Sequence, residues 1–371
     1  MDQPSKVKIP GKPRILVAPL DWGLGHATRC IPVIRELLKQ GAEPWLAGEN
    51  AQEALLRNEF PELPLLQLEG YRVKYARSRA GLLRKMIMQA PRILKCIRRE
   101  NAWLNEAVRK FDFDAVISDN RYGLYHEKIP SVFMTHQLLI KSPGGNWVMN
   151  AIRQRNYRYI NRFTECWVPD EAGNNSLAGV LSHPEKKPAV PVHYIGWLSR
   201  FEKTDIEPGS GHLLVILSGP EPQRSIFEDI IIKEISHYNG TATIVRGLPA
   251  SLNVIPSTSM LRFYNHLSSA ELNKEISEAE FVIARSGYST IMDMVKMRKK
   301  TILLPTPGQT EQEWLSKWLM EKQIACCLRQ YQFTLEQALT AARQFNYHIP
   351  EFHSGLLENN ITRLLSSLRK Q

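Results

Sequence analysis

Twice along this chain, short apolar runs alternate with amphipathic stretches across glycine-containing turns, and this alternation constrains the fold more than any other feature. The runs Arg14–Leu20, Pro44–Gly48, Asp114–Asp119, Pro130–Thr135, Cys166–Pro169 and Val192–Gly196 read as strands, with helices at Arg29–Gln40 and Gln52–Asn58. A segment that is first charged and then rich in Pro, Gly and Ser follows, Ser199–Gly211. The pattern then restarts with strands at His212–Leu217, Thr241–Val245, Leu261–Tyr264, Phe281–Ile283 and Thr301–Pro305 and a helix at Ser225–Glu234. Such alternation predicts an α/β protein with parallel sheets, and 371 residues suit two domains. The expected organisation is a Rossmann-like domain over residues 1–198, a linker over 199–211 and a second Rossmann-like domain over 212–349. A final helical segment, 350–371, is expected to pack back on the first domain.

One stretch of the second series carries chemistry. After the strand Phe281–Ile283 come Ala284-Arg285-Ser286-Gly287 and a hydroxyl-rich helix start with Ser289 and Thr290. Unpaired backbone N–H groups and the positive end of a helix dipole converge at such a start, which makes it an anion site. Asp293, one turn further in, is placed to accept hydrogen bonds from a ribose diol. The next strand leads to a polar loop, Gly308–Glu313, so phosphate anchor, diol acceptor and sugar-sized loop fall within thirty residues. That order predicts a nucleotide-sugar site.

Tandem parallel sheets hold ligands in the cleft between the carboxyl ends of their strands. The loops Asp21–His26 and Ser218–Glu221 should face each other there. Gly23, Gly25 and Gly219 permit close backbone approach to a ligand, although Gly23-x-Gly25 also suits a plain tight turn and Thr28 replaces the third glycine of a dinucleotide fingerprint. His26 is the natural general base in this cleft. The competing reading is a histidine that only hydrogen-bonds phosphate, with Asp119 or His136, each at the end of a first-domain strand, acting instead.

These motifs resemble glycosyltransferase family 28 of the GT-B fold, which includes the peptidoglycan N-acetylglucosaminyltransferase that makes lipid II. The resemblance is strongest over Phe281–Ala325, where Arg285-Ser286-Gly287, Thr290, Asp293, Pro305, Gln312 and Glu313 follow the family order. It is moderate at Gly23–Arg29, which looks like the glycine-rich acceptor loop ending in histidine, and weak elsewhere; Asp21-Trp22 and Ser118–Arg121 replace expected glycine-rich stretches. The resemblance implies GT-B architecture, with the two domains facing across a cleft. It implies ribose binding by Asp293, where the family usually has Glu, and diphosphate binding by Ser286, Gly287, Ser218 and Gly219. Tyr264 would meet the uracil through its backbone, Gln312 and Glu313 would bind the donor sugar, and Arg200 would neutralise phosphate. Glu313 stands where Gln is commoner, which leaves the sugar open between N-acetylglucosamine and a hexose. The implied activity is transfer from a UDP-sugar, with inversion, to a hydroxyl of a polyprenyl-linked saccharide, a diacylglycerol-type lipid or a soluble glycan.

Two other enzyme classes compete. A nucleotide-sugar epimerase of the same architecture would want several cleft carboxylates, and the first domain offers chiefly Asp21 and Asp119. A nicotinamide-dependent oxidoreductase would use the first glycine loop with Glu49 on a ribose, against an incomplete fingerprint. A non-catalytic sugar-nucleotide sensor is a third class. Asp112-Phe113-Asp114 looks like the metal-binding carboxylate pair of other glycosyltransferases, but it introduces a buried strand and reads as turn-solvating. Five cysteines without metal-ligand spacing read as reduced packing residues, and no metal or other cofactor is expected.

No apolar run approaches the ~18–20 residues of a membrane span, and the first residues lack a signal-peptide apolar region, so a cytoplasmic location is expected. The net charge is +11, and between Arg72 and Lys110 twelve Lys/Arg face two Glu, a local net of +10. Leu82, Leu83, Met86, Ile87, Ile93, Leu94 and Ile97 interleave with these charges at near-helical spacing. This segment can lie on the anionic inner face of the cell membrane, or pack on the core with a solvated basic face. No recognition motif accompanies it, so nucleic acid is not an expected partner. In the membrane case, co-sedimentation should require vesicles containing anionic lipid and should weaken as salt rises; salt-insensitive binding, or none, removes that reading.

Overall fold

The computed structural model describes residues 11–72, 79–141, 145–206, 209, 211–249 and 251–369, with side chains of the helix that begins at residue 79 described from Met88 onward. In the first domain, strands β1 (Arg14–Pro19), β2 (Glu43–Gly48), β3 (Leu65–Gln67), β4 (Ala115–Asp119), β5 (Ser131–Met134), β6 (Glu165–Val168) and β7 (Val192–Tyr194) form one parallel sheet in the order 3-2-1-4-5-6-7. Helices α1 (Leu24–Lys39), α2 (Asn50–Glu59), α3 (Arg79–Phe111) and α4 (Gly145–Ile160) connect them. A parallel sheet is covered on both faces, so its strands are apolar throughout rather than alternating. In β1 every residue is buried: Ile15 and Val17 pack in the cluster that contains α1, while Leu16 and Ala18 pack with Trp45, Leu104 and Phe111 on the other face.

The second domain repeats the plan. Strands β8 (His212–Ile216), β9 (Thr241–Val245), β10 (Leu261–Tyr264), β11 (Phe281–Ala284), β12 (Thr301–Leu303) and β13 (Cys326–Cys327) form a parallel sheet in the order 10-9-8-11-12-13. Helices α5 (Gln223–Ile235), α6 (Ser269–Glu278), α7 (Tyr288–Lys296), α8 (Thr310–Glu321), α9 (Leu335–Gln344) and α10 (Leu356–Leu368) complete it. In both sheets the strand order reverses beside the first strand, between β1 and β4 and between β8 and β11. That switch point is where open α/β sheets leave a crevice for ligands.

Two segments read as loops from sequence are helical. Helix α1 begins at Leu24, because the break falls on Gly23, whose φ of 92° is a glycine conformation. His26 therefore stands in a first helical turn, one turn before Arg29. Helix α8 begins at Thr310, so Glu311, Gln312 and Glu313 are all helical residues. Seven of the twelve Lys/Arg of the basic stretch have described side chains. Ile97 and Leu104 are buried in the protein, and Arg92, Lys95, Arg98 and Arg99 line the same helix, with Arg98 and Arg99 exposed. Residues 73–78, and the side chains of Leu82, Leu83, Met86 and Ile87, lie outside the described set. No helix among the described residues is long and apolar enough to cross a membrane.

The domains are held face to face by one continuous apolar cluster that includes Ile31 and Ile34 of α1, Ile291 and Met292 of α7, Leu315 and Leu319 of α8, and Ile361 and Leu365 of α10. Helix α10 is also tied to the first domain by Arg363, whose guanidinium meets both oxygens of Glu165 at 2.6 and 3.1 Å. On α8, Trp314 and Trp318 stack and lie against Gly179 of the first domain, and Trp318 donates to the Ser176 carbonyl at 3.3 Å. A Cβ at Gly179 would sit 2.6 Å from the Trp314 ring, at a φ of +50°. Gly173 has a φ of +83° but open space around its Cβ position. Gly179→Ala should thus cost about 1–3 kcal/mol more than Gly173→Ala, since both carry left-handed strain and only one overpacks. Paired thermal melts of the two variants measure the difference, and equal melting temperatures would show that the tryptophan contact contributes nothing.

Candidate active site

The first sheet's switch point holds a cluster of charged side chains. Asp119 closes β4 opposite Pro19 of β1 and is fully buried. Arg29, buried on α1, lays its guanidinium along this carboxylate: Nε donates to Oδ2 at 2.8 Å and Nη2 contacts Oδ1. His26 stands one turn earlier, with Nδ1 2.9 Å from Asp119 Oδ2 and 2.9 Å from Arg29 Nη2. Arg29 Nη1 reaches His136 Nδ1, beyond the end of β5, at 3.0 Å. His136 Nε2 lies 2.6 Å from Oε1 of Glu311, which comes from α8 of the second domain, and the ring stacks on Tyr288 of α7 with centroids 4.2 Å apart and 8° between planes. The cluster therefore crosses the domain interface.

The electrostatics follow from this geometry. Burial lowers the His26 pKa, Arg29 and His136 lower it further, and Asp119 only partly opposes them. His26 is accordingly neutral near pH 7. Burial alone would raise the Asp119 carboxyl, but Arg29 and His26 outweigh it and hold the group below its usual range. Glu311 follows the same logic, with burial overcome by His136 and then by His26 and Arg29. Both side-chain contacts of His26 run through Nδ1. That nitrogen cannot both donate to Asp119 and accept from Arg29. With the proton on Nδ1, facing the carboxylate, Nε2 carries a lone pair and can take a proton; with the other tautomer it cannot.

The second sheet's switch point lies across the interface. Gly287 is the N-cap residue of α7 and offers no side chain to cap it, and space is open where a Gly287 Cβ would project. The start faces the first domain, with Ser289 Oγ donating to the Gly25 carbonyl at 2.7 Å. Beside it the loop after β8 places Gly219 at a φ of +103°, where a Cβ would lie 3.9 Å from the Thr306 hydroxyl. That hydroxyl is buried without a hydrogen-bond partner. Thr290 is half-buried in the α7 first turn, Ser218 is half-buried two residues past β8, and Tyr264 ends β10 with its carbonyl accepting from Arg246 N–H at 2.8 Å.

Several side chains expected to meet a ligand also have partners within the protein. Arg285 is 1% exposed; it donates to the Gln223 carbonyl at 2.9 Å, lies 4.2 Å over the Phe227 ring, and burial lowers its pKa to about 10. Ser286 Oγ donates to the Gln312 carbonyl. Gln312 Oε1 accepts from Thr306 N–H at 2.8 Å and Glu313 Oε1 from Gly308 N–H at 3.0 Å, so both fasten the loop ahead of α8 instead of standing free. Asp293 accepts from Ser199 Oγ, in the segment joining the domains, at 2.6 Å. Arg200 follows Ser199 and donates to Ser269 Oγ at 3.2 Å, beside Asp293, with its Nε unpartnered.

The carboxylates of the two competing readings are also engaged. Asp21 accepts from Tyr71 N–H and Arg72 N–H at 2.9 and 2.8 Å, so closely that a Cβ on Gly70 would collide with it. Glu49 holds Arg72 at 2.6 Å and Gly70 N–H at 2.8 Å. Asp114 accepts from Arg14 N–H at the start of β1, and no group of potential metal ligands occurs among the described residues.

Two parallel-sheet α/β domains, of seven and six strands, packed face to face are the GT-B arrangement. Solved structures agree on the fold. The glycosyltransferase SnogD from Streptomyces nogalater aligns over 96% of this chain and 100% of its own, with a TM-score of 0.58 and 11% identity. MurG from Acinetobacter baumannii aligns over 97% and 100%, with a TM-score of 0.50 and 13% identity. A protein described as an uncharacterized glycosyltransferase from Methanosarcina acetivorans is 22% identical over 323 residues, 81% of each chain. Residues 263–351, from β10 to beyond α9, match the glycosyltransferase family 28 C-terminal domain, and with the fold this supports a family 28-like glycosyltransferase.

Asp293 shows what such a site costs. Burial raises its pKa from 3.8 to about 6, against the pull of Arg200 and Ser199. A carboxyl whose folded pKa exceeds its unfolded value supports folding fully only below about pH 3.8, and that support is lost as pH rises through 6. Asp293→Asn should therefore stabilise the protein at pH 8 by about 1–3 kcal/mol, and by less at pH 5. Denaturant unfolding at the two pH values tests this; a variant destabilised at pH 8 would mean that the ionised carboxylate is a net support.

Proposed function

We propose that this protein transfers a sugar, N-acetylglucosamine or a hexose, from a UDP-sugar to a hydroxyl of a lipid-linked or glycan acceptor, with inversion at the anomeric carbon. The observation that carries the reading is the His26–Asp119 pair at one switch point facing the uncapped start of α7 at the other. The acceptor hydroxyl attacks the anomeric carbon as its proton passes to His26 Nε2, and Asp119 stabilises the imidazolium through Nδ1–H. The C–O bond to the nucleoside diphosphate breaks, and the charge on the leaving group meets the N–H groups of the α7 start and the Ser218-Gly219 turn. Asp293 takes the ribose hydroxyls, Arg200 the adjacent phosphate, and Tyr264 the base through its backbone. Charge compensation by these groups needs no metal. Reaction in the cytoplasm, with the basic side chains of α3, exposed Arg98 and Arg99 among them, resting on the inner face of the membrane, fits an acceptor held by a lipid.

Thermal-shift measurements against nucleoside diphosphates and their sugars test the donor, since a ligand bound only by the native state raises the melting temperature. UDP and a UDP-sugar should shift the midpoint. Transfer by His26→Ala should fall about 10²–10⁴-fold at unchanged UDP binding. The acidic limb of the wild-type rate should lie below pH 6.5, because the His26 pKa is lowered. Binding of a different nucleotide, or alteration of the sugar with no acceptor present, would replace the reading with another.

A further inference from the structure

Glu311 has no role of its own in the motifs that point to the site, yet it is a charged second-domain side chain that joins the first domain's cluster through His136. It stands in the first turn of α8, two residues from Gln309, the N-cap residue. Its neighbours Gln312 and Glu313 turn back to hold their own loop, whereas Glu311 crosses to His136 at 2.6 Å. Thr310 supports the crossing by donating to the Lys141 carbonyl of the first domain at 3.0 Å.

Hydrogen-bond directions can be read along the chain of contacts from its two fixed ends. An ionised Glu311 only accepts, so His136 carries its proton on Nε2 and leaves a lone pair on Nδ1. Arg29 only donates, so Nη1 satisfies that lone pair, at 3.0 Å. The stacked Tyr288 ring, 8° from parallel, fixes the plane of His136 and hence the direction from which Arg29 is held. With Nη1 held there, Nε and Nη2 lie along the two Asp119 oxygens. The remaining ambiguity is at His26, whose Nδ1 is 2.9 Å from both Asp119 and Arg29. If the guanidinium swings toward His26, Nη2 donates to Nδ1, and the ring is driven to the tautomer that cannot take a proton at Nε2. While it is held back by His136, the carboxylate claims the Nδ1 proton.

We propose that Glu311 is a positioning residue that, through His136 and Arg29, fixes His26 in its Nδ1–H tautomer and makes the base competent only when the second domain is docked on the first. The inference deepens the transferase reading and rests on it for its kinetic consequence, but the tautomer itself is observable without turnover. Gln in place of Glu311 keeps the shape of the side chain while removing the charge, and its amide can face His136 with either a donor or an acceptor. The direction of the whole relay then becomes undetermined. Asp, one methylene shorter, keeps the charge and loses the reach.

The test uses the full chain labelled with 15N-histidine, with His26 assigned by loss of its signals in His26→Gln. Wild type should show the pattern of a neutral ring protonated at Nδ1. Glu311→Gln and His136→Gln should each shift His26 toward a mixture of tautomers. In transfer assays Glu311→Gln should lower kcat about tenfold with the KM for the donor changed less than about twofold, the signature of an interaction needed in the chemical step and not in binding. The exchanged pair, His136→Glu combined with Glu311→His, should recover part of the lost kcat, since a carboxylate on the first-domain side would still meet Arg29 and the cross-domain pair would be rebuilt. A His26 spectrum unchanged by both single variants overturns the proposal. So does a loss of kcat that is fully matched by a lower melting temperature and is not relieved in the exchanged pair. If the tautomer shifts but His26→Ala transfers sugar at the wild-type rate, the relay stands and the assignment of His26 as base is what fails.

Discussion

Arg29 is the residue on which the rest of the first-domain site depends. It is 2% exposed, and its guanidinium meets a carboxylate, two imidazoles and, through one of them, a second domain. A buried ion pair is weak support for a fold, because desolvation of both charges offsets most of their attraction. Its removal is another matter: Asp119, fully buried, would be left without its cation, and such uncompensated charges cost several kcal/mol. The pairing is thus less a source of stability than a constraint. It forces Asp119 to stay ionised, and an ionised Asp119 is what gives His26 an orientation.

The same constraint explains why the domain interface takes the form it does. An apolar cluster shared by α1, α7, α8 and α10 presses the domains together without specifying how they meet, since hydrophobic burial is non-directional. Register comes from the few polar contacts at its edge. Ser289 to Gly25, Thr310 to Lys141, Glu311 to His136, Ser199 to Asp293 and Ser269 to Glu59 each require one alignment. The first three involve the helix starts of the second domain, α7 and α8, and Ser289 and Glu311 aim at the turn and strand end that carry His26 and His136. Packing holds the faces together; the hydrogen bonds decide that the two switch points oppose each other.

Fold class is legible because parallel strands buried on both faces leave near-continuous apolar runs, and β1, β4, β8 and β11 can be read from theirs within a residue or two. The short edge strand β3, half-buried and three residues long, leaves no such run. The start of α1 escapes a sequence reading because Gly-x-Gly suggests a turn, whereas here only Gly23 breaks the chain and Gly25 is helical. Once that start is known, Arg29 follows: three residues after His26 on a helix is the same face. Glu311 has no comparable signal. Three polar residues in a row, Glu311-Gln312-Glu313, look alike in sequence, and only the direction of α8 decides that the first crosses the interface while the others bind their own loop.

Sequence also cannot show which charged residues are held at a cost. At the second switch point Asp293 and Arg285 are both nearly buried, and burial drives each toward its neutral form, to pKa values of about 6 and about 10. They do not neutralise each other; Asp293 leans on Ser199 and Arg200, and Arg285 on carbonyls and the Phe227 face. A core built for stability alone would replace both with apolar side chains of similar volume. Titratable groups displaced from their ordinary range cluster at functional sites, and structural charge networks displace them as well. In this protein Asp293 and Arg285 flank the uncapped start of α7, within the segment that matches the family 28 domain, so the displaced groups and the uncapped helix start fall at the same place.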